Sequence, residues 1–231
     1  MHLEKLDSQF LQYLIDKKID PGERLPTLQE ISQEMGISVG KLREQLEVAR
    51  TLGIVSVKPR VGIIREPFNF QPVVLNATLF GLGTEEITFE QVSQMRRALE
   101  QSLWYDAVTQ LTDDDKQHLR KIVDQAWQKL RGTPIHVPNG EHRELHLTIF
   151  SRLQNPIVQG LLDTYWNAYE ASELTRYLAI EYWYEVWDYH GRIVDALIQN
   201  DFDLGRKLLL QHFELLPKTH VQAAVIGVEN P

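Results

Sequence analysis

The chain has 231 residues, of which 43% are hydrophobic and 24% charged, and its net charge at pH 7 is −8. This composition is typical of a globular protein, and the sequence contains no run of about 18 apolar residues, which excludes a membrane-spanning helix. Without cysteine there are no disulfides, thiolate ligands or cysteine nucleophiles, so any transition metal must be bound by histidine and carboxylate groups. The N-terminus lacks the apolar core of a signal peptide, so we expect a cytoplasmic protein.

The charge is unevenly distributed along the sequence. Residues 1–65 contain ten Lys and Arg against nine Asp and Glu, a net charge of +1, so the remainder carries −9. A nucleic-acid partner requires clustered basic side chains. The distribution therefore permits a local basic face near the N-terminus but does not require one.

Three helices are predicted in the first fifty residues. Apolar side chains at helical spacing predict a helix from about residue 3 to Lys18, with inward residues Leu3, Leu6, Phe10, Leu14 and Ile15. Thr27, followed three residues later by Glu30, predicts a capping box that opens a second helix ending at Gly36. Ser38 is expected to cap a third helix, which runs from about Val39 to Leu52 and has inward residues Leu42, Leu46 and Ala49.

The pattern then changes to the period of two that is typical of strands. Residues 54–57 and 61–64 alternate around a turn at 58–60, which predicts a small β-hairpin. A short linker follows, and beyond it all the signals are helical. The predicted helices cover about 73–82, 88–111, 113–131, 140–153, 156–178, 180–200 and 203–216.

The sequence therefore predicts a mainly α protein of two domains. Three helices followed by a hairpin are typical of a winged helix-turn-helix, which binds DNA by placing its second motif helix in the major groove. We expect this domain to occupy residues 1–66, a linker 67–72, an all-α antiparallel helical bundle 73–217, and a C-terminal tail 218–231.

Residues 19–66 resemble the GntR family of bacterial transcription regulators. The resemblance lies in spaced positions: Pro21-Gly22, Leu25-Pro26, Ile31, Gly36-Ile37-Ser38, Arg43-Glu44, Leu46, Gly53-Ile54 and Gly62. Candidate DNA contacts on the two motif helices and the wing are Thr27, Ser38, Lys41, Arg43, Lys58, Arg60 and Gly62. The alternative is that the four cations among them are ordinary solvated charges. The family usually has arginine at the positions of Gln29 and Val39, so the operator sequence and the affinity for DNA are open.

Histidine placement is the most informative feature of the second domain. His142 and His146 are four residues apart, so both imidazoles lie on one face of a helix. His190 and His212 fall on the last two predicted helices, and antiparallel packing would bring them to similar heights. Facing helices of bundles commonly build metal sites in this way. A single histidine on a helix is more often a surface or core residue, so metal binding and a purely structural role both remain open.

Residues from about 88 to 216 resemble the FadR-type effector domain, also called FCD, that follows many GntR heads. The resemblance covers Arg96-Arg97-Ala98-Leu99-Glu100, Glu144-Leu145-His146-Leu147-Thr148-Ile149, Asn155-Pro156, His190 to Leu197, Asp201 and His212. It implies a divalent metal, zinc or nickel, held by His146, His190 and His212. Relatives often have aspartate where His142 stands, so either His142 is the fourth ligand or water or Asp106 completes the set.

The same resemblance assigns Arg96 to the carboxylate of an effector, which an arginine binds well in a bidentate manner. An ion pair with Glu100, one turn further along the helix, is the alternative. Aromatic residues from Tyr165 to Trp187 are expected to belong mostly to the helix-packing core, with one or two lining an effector cavity.

The predicted function is a homodimeric regulator that binds a pseudo-palindromic double-stranded operator and senses a small carboxylate through a metal-containing helical domain. One alternative is a metal-dependent hydrolase, because HRELH (residues 142–146) resembles the zinc-protease motif HExxH. Arg143 occupies the position of the general base, however, and cannot accept a proton. We therefore expect a protein that is not an enzyme. The other alternative is a protein of this fold that has lost specific DNA binding.

Overall fold

The computed structural model describes residues 6–172 and 178–215 of the chain, which divides into two compact units. The first unit ends at Ala77 and the second begins at Thr78. The division falls inside a helix, beyond the predicted linker at residues 67–72. None of the helices in the described ranges is long and apolar enough to cross a membrane.

The described residues up to Arg65 form three helices and an antiparallel hairpin. The helices are α1 (Gln9–Asp16), α2 (Leu28–Met35) and α3 (Val39–Thr51), and the strands are β1 (Val55–Lys58) and β2 (Gly62–Arg65). The strands pair in antiparallel register from Val55 opposite Arg65 to Lys58 opposite Gly62. This order of elements confirms the predicted winged helix-turn-helix.

Helix α1 is shorter than predicted. The Ser8 hydroxyl accepts a hydrogen bond from the Leu11 amide, so the helix begins at Gln9, and it ends at Asp16. Phe10 and Leu14 are buried as expected, whereas Ile15 is 46% exposed. The prediction that Ile15 faces the core was therefore wrong; Leu3 lies outside the described residues.

The helix ends of the helix-turn-helix motif are those that the sequence predicted. Thr27 and Glu30 form both hydrogen bonds of the capping box at the start of α2. Gly36 ends that helix with a φ of 65°, a left-handed conformation that glycine adopts without steric cost. Ser38 then caps α3, whose residues Leu42, Leu46 and Ala49 are buried as predicted.

The described residues after the hairpin form eight further helices and no strand. They are α4 (Gln71–Gly83), α5 (Phe89–Ser102), α6 (Trp104–Val108), α7 (Asp113–Leu130), α8 (Asn139–Ile149), α9 (Pro156–Ala171), α10 (Ile180–Ile198) and α11 (Phe202–Phe213). Helix α10 packs against both α7 and α11, while α5 packs against α9. The mainly α architecture is as predicted.

The single helix predicted over residues 88–111 is in fact two helices. The chain leaves helical geometry at Leu103, between α5 and α6. Trp104, which begins α6, is fully buried, and its indole nitrogen donates to the carbonyl oxygen of Phe202 at 2.9 Å. We attribute the break to this contact with a segment 98 residues away, which local periodicity cannot reveal.

Trp104 also lies against a glycine, which leads to a stability prediction. A Cβ atom at Gly205 would lie 2.8 Å from Trp104 Cζ2, whereas one at Gly191 would lie 3.8 Å from Val123 Cγ1. We expect Gly205→Ala to lower the free energy of unfolding by about 1–3 kcal/mol through overpacking. Gly191→Ala, the matched control in another helix, should be neutral or stabilise by up to about 1 kcal/mol. Denaturant titration checks both, and equal values would contradict the proposed contact.

Candidate functional site

The N-terminal turn of α3 exposes two cations. Lys41 and Arg43 are both exposed, one on each flank of the buried face that contains Leu42 and Leu46. Ser38 Oγ accepts a hydrogen bond from the Lys41 amide at 3.2 Å, which fixes the start of the helix. The helix N-terminus carries a partial positive charge, so the two cations and the helix dipole favour the same anionic partner.

The wing presents a second group of cations. Lys58 and Arg60 are exposed, and Lys58 Nζ lies 3.6 Å from a carboxylate oxygen of Glu66. Gly62, with a φ of 104°, lies beneath the side chain of Arg24, whose Nε would be 3.2 Å from a Cβ at that position. Any larger residue at 62 would therefore displace Arg24.

Arg24 was not among the predicted contacts. It precedes α2 in the sequence but forms a β-bridge with Ile64 in the wing. Since nothing in the local sequence signals this pairing, only the structure brings Arg24 to the wing.

The four histidines of the second unit converge in its core. His142 and His146 lie on α8, His190 on α10 and His212 on α11. One ring nitrogen from each can be chosen so that all four lie within 4.8 Å of one another, and all four side chains are buried. The convergence foreseen from helix spacing is therefore present.

The electrostatics of the cluster favour neutral imidazoles. Burial lowers the pKa of all four histidines well below the ordinary value, and in each case a nearby positive group, Arg96 or another histidine, lowers it further. Neutral imidazole is the form that binds a metal.

Several buried nitrogens of this cluster lack partners among the described residues. They are both ring nitrogens of His142 and the Nδ1 atoms of His190 and His212. Buried polar atoms are normally satisfied, so such a concentration is unusual. A divalent transition metal bound by imidazole would fit this donor set. Asp106, suggested as a possible ligand, is exposed on α6 and does not belong to the group.

Arg96 is buried beside the histidines and forms the ion pair considered above. Its Nε lies 2.8 Å from Glu100 Oε1, its Nη1 3.0 Å from the Tyr165 hydroxyl, and its Nη2 2.8 Å from His146 Nε2. Burial alone would lower the pKa of Arg96, but Glu100 reverses this and raises it further above its usual range. The guanidinium is therefore a permanent cation next to the cluster.

An aromatic shell surrounds His142. Ring centroids of Trp166, Tyr169, Trp183 and Trp187 lie between 4.7 and 6.3 Å from its own. These side chains are buried, as expected for core residues. Their three indole nitrogens and the Tyr169 hydroxyl have no hydrogen-bond partner within residues 6–172 and 178–215. The shell thus combines apolar packing with four unused donors.

Arg143 and Glu144 of HRELH are not placed for hydrolytic chemistry. Arg143 Nη2 lies 2.6 Å from Asp163, and Nη1 lies 3.3 Å from Glu170. Glu144 lies 3.0 Å from His118, and both side chains are about half exposed. Glu144 is therefore on the surface and not among the buried histidines.

Comparison with known protein families gives two matches. The model described as the FCD domain matches residues 91–215, more than half of the chain. The model described as bacterial regulatory proteins, gntR family, matches residues 4–64. The first match includes all four clustered histidines, and the second includes the three N-terminal helices and most of the hairpin.

Several curated proteins are similar over most of their length. An uncharacterized HTH-type transcriptional regulator of Bacillus subtilis is 24% identical, covering 84% of this chain and 78% of its own. The Uxu operon regulator of Haemophilus influenzae is 26% identical, over 84% of this chain and 72% of that protein. A putative L-lactate dehydrogenase operon regulatory protein of Escherichia coli is 22% identical, over 89% of this chain and 81% of that protein.

Among solved structures, a GntR protein of Streptococcus agalactiae shares the fold. Its TM-score is 0.64 at 18% identity, over 90% of this chain and 95% of that protein. At this identity the likeness concerns the fold alone.

Proposed function

Since the chain belongs to the GntR family of bacterial regulatory proteins and carries an FCD domain, it is a DNA-binding regulator, and we propose that a metal-anchored organic acid controls its operator affinity. The observation that carries this proposal is the buried group of four neutral imidazoles. Zinc or nickel held by His142, His146, His190 and His212 would act as a Lewis acid that anchors a carboxylate.

The surroundings of the histidines support an anionic ligand rich in oxygen. Arg96 contributes a permanent positive charge beside His146, although Glu100 already accepts from its Nε. The four unused donors around His142 suit the acceptor oxygens of a small hydroxycarboxylate. One relative is named for an L-lactate dehydrogenase operon, and lactate is such an acid.

On the DNA side, we propose that Lys41 and Arg43 contact the major groove and that Lys58, Arg60 and Gly62 approach the backbone or minor groove. Thr27 and Ser38 have exposed hydroxyls at the starts of the two motif helices, close to the expected phosphate positions. Two such heads in a homodimer would match a pseudo-palindromic operator. The effector changes DNA affinity because it binds one arrangement of the dimer better than another.

A binding experiment with defined acids tests the proposal. DNA fragments selected from a random pool by the protein itself serve as the operator probe, and L-lactate and other small hydroxycarboxylates serve as effectors. We expect at least one acid to change DNA affinity by about 5- to 150-fold in metal-loaded protein, the usual range of allosteric coupling. The corresponding amide, and the acid after chelation of the metal, should have no effect. DNA affinity that is indifferent to every acid and to metal removal would refute the sensing role.

A further inference from the structure

His146 differs from the other three histidines of the cluster in its surroundings. Its Nδ1 lies 3.1 Å from Glu100 Oε2, and both side chains are almost completely buried. In contrast, the Nδ1 atoms of His142, His190 and His212 meet no hydrogen-bond partner in the part of the chain that the structure describes. One imidazole of the four is therefore paired with a carboxylate.

Glu100 is itself held in place from its other oxygen. Arg96, one helical turn earlier on α5, donates from Nε to Glu100 Oε1 at 2.8 Å. The guanidinium in turn donates to the Tyr165 hydroxyl, and its carbon lies 4.6 Å and 4.7 Å from the ring centroids of Tyr165 and Trp166. Because each carboxylate oxygen has a different partner, Glu100 cannot rotate without losing one of them.

This arrangement determines which ring nitrogen of His146 is available. Glu100 Oε2 can only accept at Nδ1, whereas Arg96 Nη2 can only donate and lies 2.9 Å from Nδ1 and 2.8 Å from Nε2. A ring hydrogen on Nδ1 and a lone pair on Nε2 give both neighbours a partner. His146 Nε2 is also the atom that approaches His190, with the two Nε2 atoms 3.2 Å apart. Arg96 Nη2 lies 2.8 Å from the same nitrogen, so the lone pair faces both His190 and the guanidinium.

We propose that Glu100 is a positioning residue for the metal site: it fixes the Nδ1–H tautomer and the orientation of His146, so that Nε2 is presented to the ion. The inference rests on the proposed metal-binding function. Carboxylates that orient a ligating histidine raise its basicity, and their loss typically costs 10- to 100-fold in metal affinity. Arg96 holds Glu100 through its Nε and also contacts His146 directly through its Nη2.

A matched pair of double variants isolates the role of the carboxylate. Glu100→Ala alone would leave the Arg96 charge buried without its partner and destabilise the fold. Arg96→Met/Glu100→Gln removes both charges but keeps an acceptor oxygen for Nδ1–H. Arg96→Met/Glu100→Leu removes the acceptor as well, at similar side-chain volume. Thermal unfolding of the metal-free proteins should show that both variants fold, with midpoints that differ by no more than the loss of this one hydrogen bond.

Zinc affinity and the tautomer of His146 are the two measurements. Competition with a zinc-binding dye should give the leucine variant an affinity about 10- to 100-fold below that of the glutamine variant. In the metal-free proteins, ¹⁵N shifts of His146 should show hydrogen on Nδ1 in wild type and the glutamine variant. In the leucine variant the ring hydrogen of His146 should move partly or wholly from Nδ1 to Nε2.

The outcomes distinguish a failure of the positioning role from a failure of the proposed metal binding. If wild type binds zinc but the two variants bind it equally well, the positioning role of Glu100 is overturned. If wild type binds no metal, the proposed function fails, and the tautomer still decides the inference. An Nδ1–H tautomer lost only in the leucine variant supports the Glu100 contact, and the same tautomer in all three proteins refutes it.

Discussion

Replacing two of the clustered histidines, as in His146→Ala/His190→Ala, is expected to abolish metal binding. The untagged wild-type protein should contain about one divalent ion per chain, because the cluster supplies four imidazoles, the usual ligand number for zinc. Two remaining imidazoles form an incomplete set, so the double variant should be purified with almost no metal. Elemental analysis of protein grown in zinc- and nickel-supplemented medium measures this content.

A matched control removes two histidines outside the cluster. His118 and His136 are both exposed, so His118→Ala/His136→Ala deletes the same number of imidazoles from the surface. This variant should retain the full metal content. Like the wild type, it should melt at a higher temperature with metal than without it, because an ion that binds the folded state stabilises that state. Equal metal in both double variants would mean that the ion binds elsewhere. A wild-type protein without metal would leave the four histidines as structural residues, and an effector pocket without metal would then be the better hypothesis.

The second large effect is expected in DNA binding. Lys41→Ala/Arg43→Ala should weaken binding to the selected operator by more than about tenfold, because both cations project from the first turns of the expected recognition helix. Any contact that either residue makes to phosphate should also appear as a shallower dependence of log affinity on log salt concentration. Fluorescence anisotropy over a range of salt concentrations measures both quantities.

Arg50→Ala is the control on the same helix. Arg50 is an exposed cation in the last turn of α3, where it forms an ion pair with Glu47 at 2.7 Å. Removing it changes the charge of the head without touching the N-terminal turns. We expect operator affinity close to that of wild type. A loss equal to that of Lys41→Ala/Arg43→Ala would indicate general electrostatic attraction, and an unchanged double variant would exclude α3 as the recognition helix.

Much of the fold could be predicted because its signals are local. Thr27 with Glu30, Gly36 and Ser38 define helix ends through hydrogen bonds and conformations within a few residues of the chain. One error was local, because the Ser8 cap that begins α1 was overlooked, but distant segments also intervene. Gln45 accepts a hydrogen bond from the Phe10 amide at the start of α1, and Trp104 packs against α11 at the break between α5 and α6.

The histidine cluster shows the same division between local and distant information. The spacing of His142 and His146 places both on one helix face, so half of the cluster is visible in the sequence. The contribution of Asp106 was wrongly considered, because its position on α6 relative to the other helices is a tertiary property. The Glu100–His146 contact, 46 residues apart, was not foreseen, although the Arg96–Glu100 pair was.

By itself, the sequence determined the elements and the winged head, because periodicity and caps act over one or two turns. Helical spacing also predicted that the histidines could converge, whereas Arg96 was singled out only by the resemblance to the FCD domain. Only the tertiary structure decided which groups meet: Arg24 at the wing, the indole rings around His142, and Glu100 at His146 Nδ1. Such contacts depend on how helices pack, and packing is set by side-chain shapes across the whole core rather than by any local run of residues.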